Sequence, residues 1–284
     1  MPEDPIPPEA IQSDEFSWLG SEIFPITSYS PETRLGLGVA TWLIGEEAAG
    51  DSLGQPDSLW ASAMVTQEKQ YHLWVIPEVF LLRDRYRIKA NLEYLKFPTL
   101  FYGIGNDTVP EAEENYTPII WRVETEFTLN TAGGWRLGPI LAFERTAIVE
   151  TEPGGSLGSG GANGAPGAQG SEVTGFGMTV RFDWREHPFG PREGGLIALS
   201  LLRFRGSAPD TQFEYLQYKA DLRWFFPLAE GHVLGFQSLW QHISGNAPFT
   251  SLPKLGGKLM FRGMYEGRYR DHALLAFQSE YRFP

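Results

Sequence analysis

The sequence predicts an all-β fold, namely an antiparallel transmembrane β-barrel with about twelve strands present. The first observation is composition: 32 glycines, 21 prolines and an aromatic content of 14% in 284 residues suit many strands joined by turns. The second is an alternation of apolar and polar side chains over runs of about 10 to 14 residues, which exceed the usual length of globular strands. The third is that no apolar run approaches the roughly 20 residues of a transmembrane helix.

The alternation is clearest in residues 117–131, where Trp121 and Phe127 fall on one face and Arg122 and Glu126 on the other. The same pattern recurs in residues 86–94, 176–184 and 215–226. A soluble sandwich also alternates, because its apolar face is turned into the core. Strand length, opposite charges on the polar face and aromatic residues near strand ends favour a membrane barrel over a soluble β protein.

Counting from turn to turn predicts twelve strands, at about 34–45, 57–69, 70–83, 85–97, 117–131, 134–150, 171–186, 194–206, 211–226, 231–243, 254–262 and 272–283. Residues 1–33 are rich in proline, serine and acidic side chains. We expect them to form an extended leader without an independent fold, so that the barrel domain spans 34–284. The glycine-rich tract at 150–170 predicts a flexible loop.

Charge and residue content argue against several functions. The formal net charge of -12 argues against nucleic acid as a partner, because phosphate binding relies on lysine and arginine. The chain has no cysteine, hence no thiolate metal site or thiol nucleophile, and its five histidines show no metal-ligand spacing. We therefore expect neither a metal nor a cofactor. The first residues lack the basic and apolar regions of a signal peptide.

A polar segment at 182–195, F-D-W-R-E-H-P-F-G-P-R-E-G-G, contains the pattern D-x-R-x-x-P-x-x-P-x-x-G. Its prolines and glycines predict a turn between two strands in any fold. The pattern, formed by Asp183, Arg185, Pro191 and Gly194, resembles the turn between the seventh and eighth strands of the BamA/TamA family, also called bacterial surface antigens. The predicted strand count places the segment between the seventh and eighth strands.

A second segment, L-G-G-K-L-M-F-R-G-M-Y at 255–265, resembles the loop-six signature of the same family. That signature is a hydrophobic residue, Arg-Gly and an aromatic residue, which fall here on Arg262, Gly263 and either Met264 or Tyr265. The resemblance implies that this loop folds back into the barrel lumen, where Arg262 pairs with acidic residues of the inner wall. A desolvated guanidinium is costly unless carboxylates hold it.

Glu280, in the last predicted strand, is a candidate partner of that arginine. The alternative for Arg262 is a surface-loop arginine in water.

A third segment, F-Y-G-I-G-N-D-T at 101–108, resembles the loop after the fourth strand in short members of this family, and E-Y-R-F-P at 280–284 resembles the end of its twelfth strand. Together the matches follow the family's order through most of 34–284. Family barrels have sixteen strands, so the resemblance implies a barrel that is incomplete at its carboxyl end. It also implies a short type without the POTRA domains that usually precede the barrel.

By resemblance, the chain is a non-enzymatic protein of the bacterial outer membrane that takes part in the insertion, assembly or translocation of outer-membrane components. Its partners would be the lipid bilayer and, as clients, unfolded outer-membrane proteins or lipids.

Two alternatives stay open. One is a lipid hydrolase that uses His242 and Ser244, because an H-x-S on a strand resembles the catalytic pair of outer-membrane phospholipase A, and such a pair can activate the serine. The other is a passive pore or structural barrel.

Overall fold

The computed structural model describes residues 18–30, 34–45, 56–82, 84–131, 133–158, 165–187, 190–257 and 260–284. Its strands are β1 (Trp18–Ser30), β2 (Arg34–Gly45), β3 (Ser58–Thr66), β4 (Tyr71–Leu81), β5 (Tyr86–Lys96), β6 (Thr99–Phe101), β7 (Glu114–Asn130), β8 (Trp135–Thr151), β9 (Ser171–Asp183), β10 (Gly194–Ala208), β11 (Thr211–Ala229), β12 (His232–Asn246), β13 (Lys254–Leu255), β14 (Tyr269–Arg270) and β15 (Ala273–Arg282). Short 3-10 turns lie at Pro110–Ala112 and Phe249–Ser251.

Twelve long strands form one antiparallel sheet in the order β1-β2-β3-β4-β5-β7-β8-β9-β10-β11-β12-β15, and the short β6 pairs with β7. Each long strand pairs with the next long strand along the chain, because short turns and loops favour such neighbours. The predicted all-β antiparallel fold with about twelve strands is therefore confirmed. No helix in the described ranges is long and apolar enough to cross a bilayer.

Two predicted boundaries need correction. Residues Trp18–Ser30 form β1 and pair with β2, so the sheet begins before the predicted boundary at residue 34. Residues 1–17 and 31–33 of the predicted leader lie outside the described residues. The predicted strand at 254–262 is instead the two-residue β13 followed by a turn. The number of long strands is still twelve, because β1 takes the place of the predicted strand at 254–262.

The sheet exposes its apolar face. Trp121, Phe176 and Phe277 are 53%, 60% and 65% exposed, whereas Arg87 on the opposite face is 4% exposed. A soluble sandwich would show the reverse, since its apolar face forms the core. The alternation predicted from the sequence is therefore present, and its apolar half is directed outward. A contiguous exposed apolar surface of this kind is what a hydrocarbon environment accommodates.

The polar face is turned inward by a strong curl of the sheet. Lys219 on β11 and Glu124 on β7 form an ion pair at 3.9 Å, although three strands separate β7 from β11. In a flat sheet those two strands would be roughly 19 Å apart. The charged faces of the strands are therefore opposed across a lumen, as in a barrel.

The two ends of this wall differ. The three longest connections between paired long strands, 97–113, 152–170 and 247–272, all lie at one end, which we call the loop end. The opposite end, called the turn end, carries tight connections such as 82–85 and 131–134. Successive antiparallel strands alternate in direction, so every second connection returns to the same end.

Candidate functional site in the lumen

The connection from β12 to β15 folds back inside the wall. After the 3-10 turn at Phe249–Ser251, β13 pairs with β14, and residues 254–270 form what we call the inner hairpin, in which 258 and 259 lie outside the described residues. The Gly257 amide donates to the Met264 carbonyl at 3.0 Å. Gly256 has a φ of 105°, and a Cβ there would approach the Tyr265 carbonyl oxygen to 2.3 Å. The tight turn of the hairpin therefore requires glycine.

Arg270 is the most deeply buried charged residue of the hairpin, with 2% of its surface exposed. Its Nη1 donates to the Phe249 carbonyl at 3.2 Å, and its Nη2 donates to the Tyr116 hydroxyl at 3.3 Å. The guanidinium also lies 5.4 Å from the Phe101 ring centre and 5.1 Å from the Phe249 ring centre. Its Nε has no hydrogen-bond partner among the described residues. Aromatic faces and neutral oxygens hold this charge.

The hairpin rests on the segment that follows β6. Arg268 donates through Nη1 to the Thr108 hydroxyl at 3.0 Å and through Nη2 to the Thr108 carbonyl at 2.9 Å, and it stacks over the Tyr102 ring at 4.8 Å. The Leu100 amide donates to the Tyr265 hydroxyl at 3.2 Å. The segment 101–108, noted in the sequence as F-Y-G-I-G-N-D-T, therefore forms much of the docking surface for the hairpin.

Tyr102 is itself held in place by this packing. Its hydroxyl donates to Glu113 Oε2 at 2.8 Å. Burial, together with the hydrogen bond to the Glu113 carboxylate, raises the pKa of Tyr102 to about 12. The phenol is therefore a neutral donor over the whole physiological range.

A charged cluster on the inner wall faces the base of the hairpin. Arg122 bridges two strands by pairing through Nη1 with Glu93 at 2.6 Å and through Nε with Glu144 at 2.9 Å. Lys254 of β13 is half-buried near this cluster. Burial lowers the pKa of Lys254 to about 8, and the positive charges of Arg270 and Arg122 contribute to the shift. The base of the hairpin therefore places Lys254 and Arg270 close to Arg122 in one region of the lumen.

Apolar packing completes the attachment. Leu252 and Ala247, which precede the hairpin, are buried against inward side chains of the wall: Ile140, Ala142, Val173, Leu202, Phe204, Phe213, Tyr215 and Ile243. Part of the glycine-rich tract also packs here, since Leu157 and Ala168 cluster with Phe249. The described parts of that tract are therefore ordered, contrary to the prediction of a flexible loop, while residues 159–164 lie outside the described residues.

The four residues of the predicted loop-six motif lie at the turn of the hairpin. Arg262 and Gly263 are exposed, Met264 is half-buried, and Tyr265 contacts the wall through its hydroxyl. Arg262 makes no hydrogen bond or ion pair with the described residues, but it lies close enough to Glu280 for an electrostatic interaction. Glu280 accepts a hydrogen bond from Arg282 Nε at 2.9 Å.

The predicted turn motif lies at the turn end, between β9 and β10. These are the eighth and ninth long strands, so the predicted index of seventh and eighth is wrong by one, because β1 precedes the counted strands. Asp183 accepts hydrogen bonds from Arg185 Nε at 2.8 Å and from Arg185 Nη2 at 2.7 Å. Gly194 has a φ of 91°, and a Cβ would lie 2.2 Å from the Trp184 carbonyl oxygen. The Pro191 carbonyl accepts from Arg282 Nη1 at 3.1 Å.

The residues of the alternative hydrolase, His242 and Ser244, lie on the outward face of β12. His242 stacks between Trp240 and Tyr218, with ring centres 6.2 Å and 5.9 Å away. Ser244 is exposed, and no hydrogen bond joins it to His242. Within the described residues, no group of three or more acidic or histidine side chains could hold a metal ion.

Sequence reasoning missed Arg270, Arg268 and Lys254. Arg268 and Arg270 form an R-Y-R stretch immediately before the last strand. That stretch is the signal in the sequence, but its burial depends on contacts with Tyr116 of β7 and with Thr108, which are more than 140 residues away in sequence.

Comparison with known proteins supports the fold. The chain is similar to the crystal structure of BamA from Haemophilus ducreyi lacking POTRA domains 1-3, with a TM-score of 0.55 and 13% sequence identity. The match covers 87% of this chain and 46% of the BamA chain, so it spans about half of that protein. No family model and no curated protein match the sequence. The similarity therefore establishes a BamA-like barrel fold.

Proposed function

We propose that the chain is a non-enzymatic β-barrel of the bacterial outer membrane, of the BamA type, that takes part in the insertion, assembly or translocation of outer-membrane components. The observation that carries this proposal is the direction of the two faces: a curled sheet with an exposed apolar outside and an ion-paired inside suits a bilayer and a hydrated lumen. The bilayer is the first partner, and unfolded outer-membrane proteins or lipids are the proposed clients.

The inner hairpin is the proposed functional element. Arg270 and Arg268 fix its base to β7 and to the segment between β6 and β7, whereas the exposed Arg262 lies near enough to Glu280 for an electrostatic interaction. We infer that the base of the hairpin is an anchor and that the residues from Arg262 to Tyr265 are the part that acts during client handling.

The test uses the full chain refolded into liposomes, followed by an unfolded eight-stranded outer-membrane barrel protein as client. Heat-modifiable electrophoretic mobility reports folding of the client with time. Wild type should accelerate client folding relative to empty liposomes, and Arg262→Ala should reduce that acceleration. Arg192→Ala is the matched control, because Arg192 is also exposed but lies in the connection at the turn end.

Two results would count against the proposal in different ways. A wild-type chain that does not float with liposomes would contradict the membrane barrel. A chain that integrates but leaves the client folding rate unchanged would contradict the insertion role and leave the barrel intact.

A further inference from the structure

Among the described residues of β8 to β11, a group of charged side chains lies on the outer face of the wall. Five outward-directed charged side chains of these strands lie toward the loop end and pair with one another: Arg145, Glu172, Arg203, Arg205 and Glu214. Their side chains are more than half exposed. We call these five residues the arginine band.

The band is continuous across four neighbouring strands. Arg145 on β8 lies opposite Glu172 on β9, and Arg205 on β10 lies opposite Glu214 on β11. Arg145 Nε lies 3.8 Å from Glu172 Oε2. Arg205 Nη2 lies 3.3 Å from Glu214 Oε1, and Arg203 pairs with the same oxygen. The register of the sheet therefore places the three guanidinium groups in three successive outward rows of neighbouring strands, in the order Arg145, Arg205 and Arg203 from the loop end.

The two glutamates of the band do not neutralise its three arginines. Three arginines face two glutamates, so the band has a net charge of +1 in a chain whose total is -12. Arg203 and Arg205 share a single carboxylate oxygen although each guanidinium has five N–H donors. Several donors of this pair thus remain available to an acceptor that approaches from outside the wall.

The surface directly below the band is apolar. Leu141 and Phe176 lie two outward positions below Arg145 and Glu172, level with Arg203, and Leu201 is the next outward residue below Arg203. The three side chains are 47%, 60% and 44% exposed. If this surface lies in hydrocarbon, the band lies at the depth of the lipid head groups. The three longest connections lie at the same end, and outer-membrane barrels carry their long loops on the extracellular side.

We propose that the arginine band binds the phosphate groups of anionic lipid in the outer leaflet. This inference rests on the proposed membrane location. Guanidinium groups bind phosphate oxygens bidentately, and a desolvated interface strengthens such contacts relative to bulk water. The apolar surface below the band would receive the acyl chains of the same lipid molecule, so that one ligand satisfies both surfaces.

Native mass spectrometry of the full chain in non-ionic detergent can test this, with diphosphoryl lipid A as the probe and its dephosphorylated form for comparison. Wild type should retain the phosphorylated lipid preferentially. The double variant Arg203→Gln/Arg205→Gln should weaken its apparent affinity about tenfold, the scale of one lost charged hydrogen bond. Lys96→Gln is the matched control, because Lys96 is a single outward cation at the loop end of β5 and should have little effect.

Heat-modifiable mobility establishes that each variant is folded, and Arg145→Gln provides a second, single-site variant of the band. Equal retention of both lipid forms by wild type, or unchanged retention by the double variant, would overturn the proposal. Displacement of the lipid by inorganic phosphate at equal concentration would assign the band to free phosphate instead and would also overturn it. Liposome flotation is scored separately, so a failure of the membrane location is distinguishable from a failure of the lipid site.

Discussion

Replacing Arg270 with alanine should destabilise the folded barrel by about 2 to 4 kcal/mol, although this arginine pairs with no carboxylate in the described residues. The two hydrogen bonds from its charged guanidinium, to Phe249 and Tyr116, are each worth about 1.5 kcal/mol. The two contacts with aromatic faces add about 1 kcal/mol each. The substitution also removes Nε, which is buried without a partner, and so relieves a desolvation cost of about 1 to 3 kcal/mol. The net loss of stability is therefore about 2 to 4 kcal/mol.

Arg262→Ala is the matched comparison within the same hairpin. Arg262 is exposed and makes no hydrogen bond with the described residues, so its removal should change the free energy of unfolding by less than about 1 kcal/mol. Both variants would be refolded into detergent micelles and unfolded with urea, with tryptophan fluorescence and heat-modifiable mobility as independent readouts.

A double-mutant cycle isolates the contact with Tyr116. Tyr116→Phe removes the hydroxyl that accepts from Arg270 Nη2 and keeps the ring. A coupling free energy of about 1 kcal/mol or more between the two substitutions is expected. Equal destabilisation by Arg262→Ala and Arg270→Ala, or a silent Arg270→Ala, would refute the reasoning that buried aromatic contacts anchor the hairpin.

Stability should rise between about pH 8 and pH 10, because the lowered pKa of Lys254 makes the folded chain bind this proton more weakly than the unfolded chain, whose lysine pKa is about 10.4. Lys254→Met should flatten that slope in urea titrations, and an unchanged slope would disprove the assignment. Glu114→Ala should expose the glycine-rich tract to limited proteolysis, since Glu114 accepts hydrogen bonds from the Ser156 and Leu157 amides, both at 2.7 Å; unaltered cleavage would contradict this. Ser244→Ala should leave lipid hydrolysis in detergent at the wild-type level, and a loss of measurable hydrolysis would favour the hydrolase.

The strand pattern was accessible from the sequence because it is a local property. A two-residue alternation such as that around Trp121 fixes which side chains share a face, and turn residues fix where a strand ends. The sequence does not identify Trp18–Ser30 as a strand, because proline and serine at its borders resemble a linker. Its pairing with β2 could be seen only in three dimensions.

The turn at Gly194 was predicted correctly as a turn, since prolines and glycines restrict the backbone wherever they occur. Its index in the sheet was wrong, because an index depends on every preceding strand. The hairpin position of Arg262 was also accessible from the sequence. Its proposed interaction with Glu280 stays a prediction that the Arg262→Ala experiment addresses.

The sequence by itself determined an all-β chain with one apolar and one polar face on each long strand, since side-chain alternation needs no information beyond neighbouring residues. The tertiary structure decided which face is outside, which cation of the hairpin is buried and which arginines lie in successive rows of the outer wall. Arg270 meets Tyr116 across 154 positions, and Arg205 meets Glu214 through strand register. Such contacts depend on the curl and register of the whole sheet, which no local segment encodes.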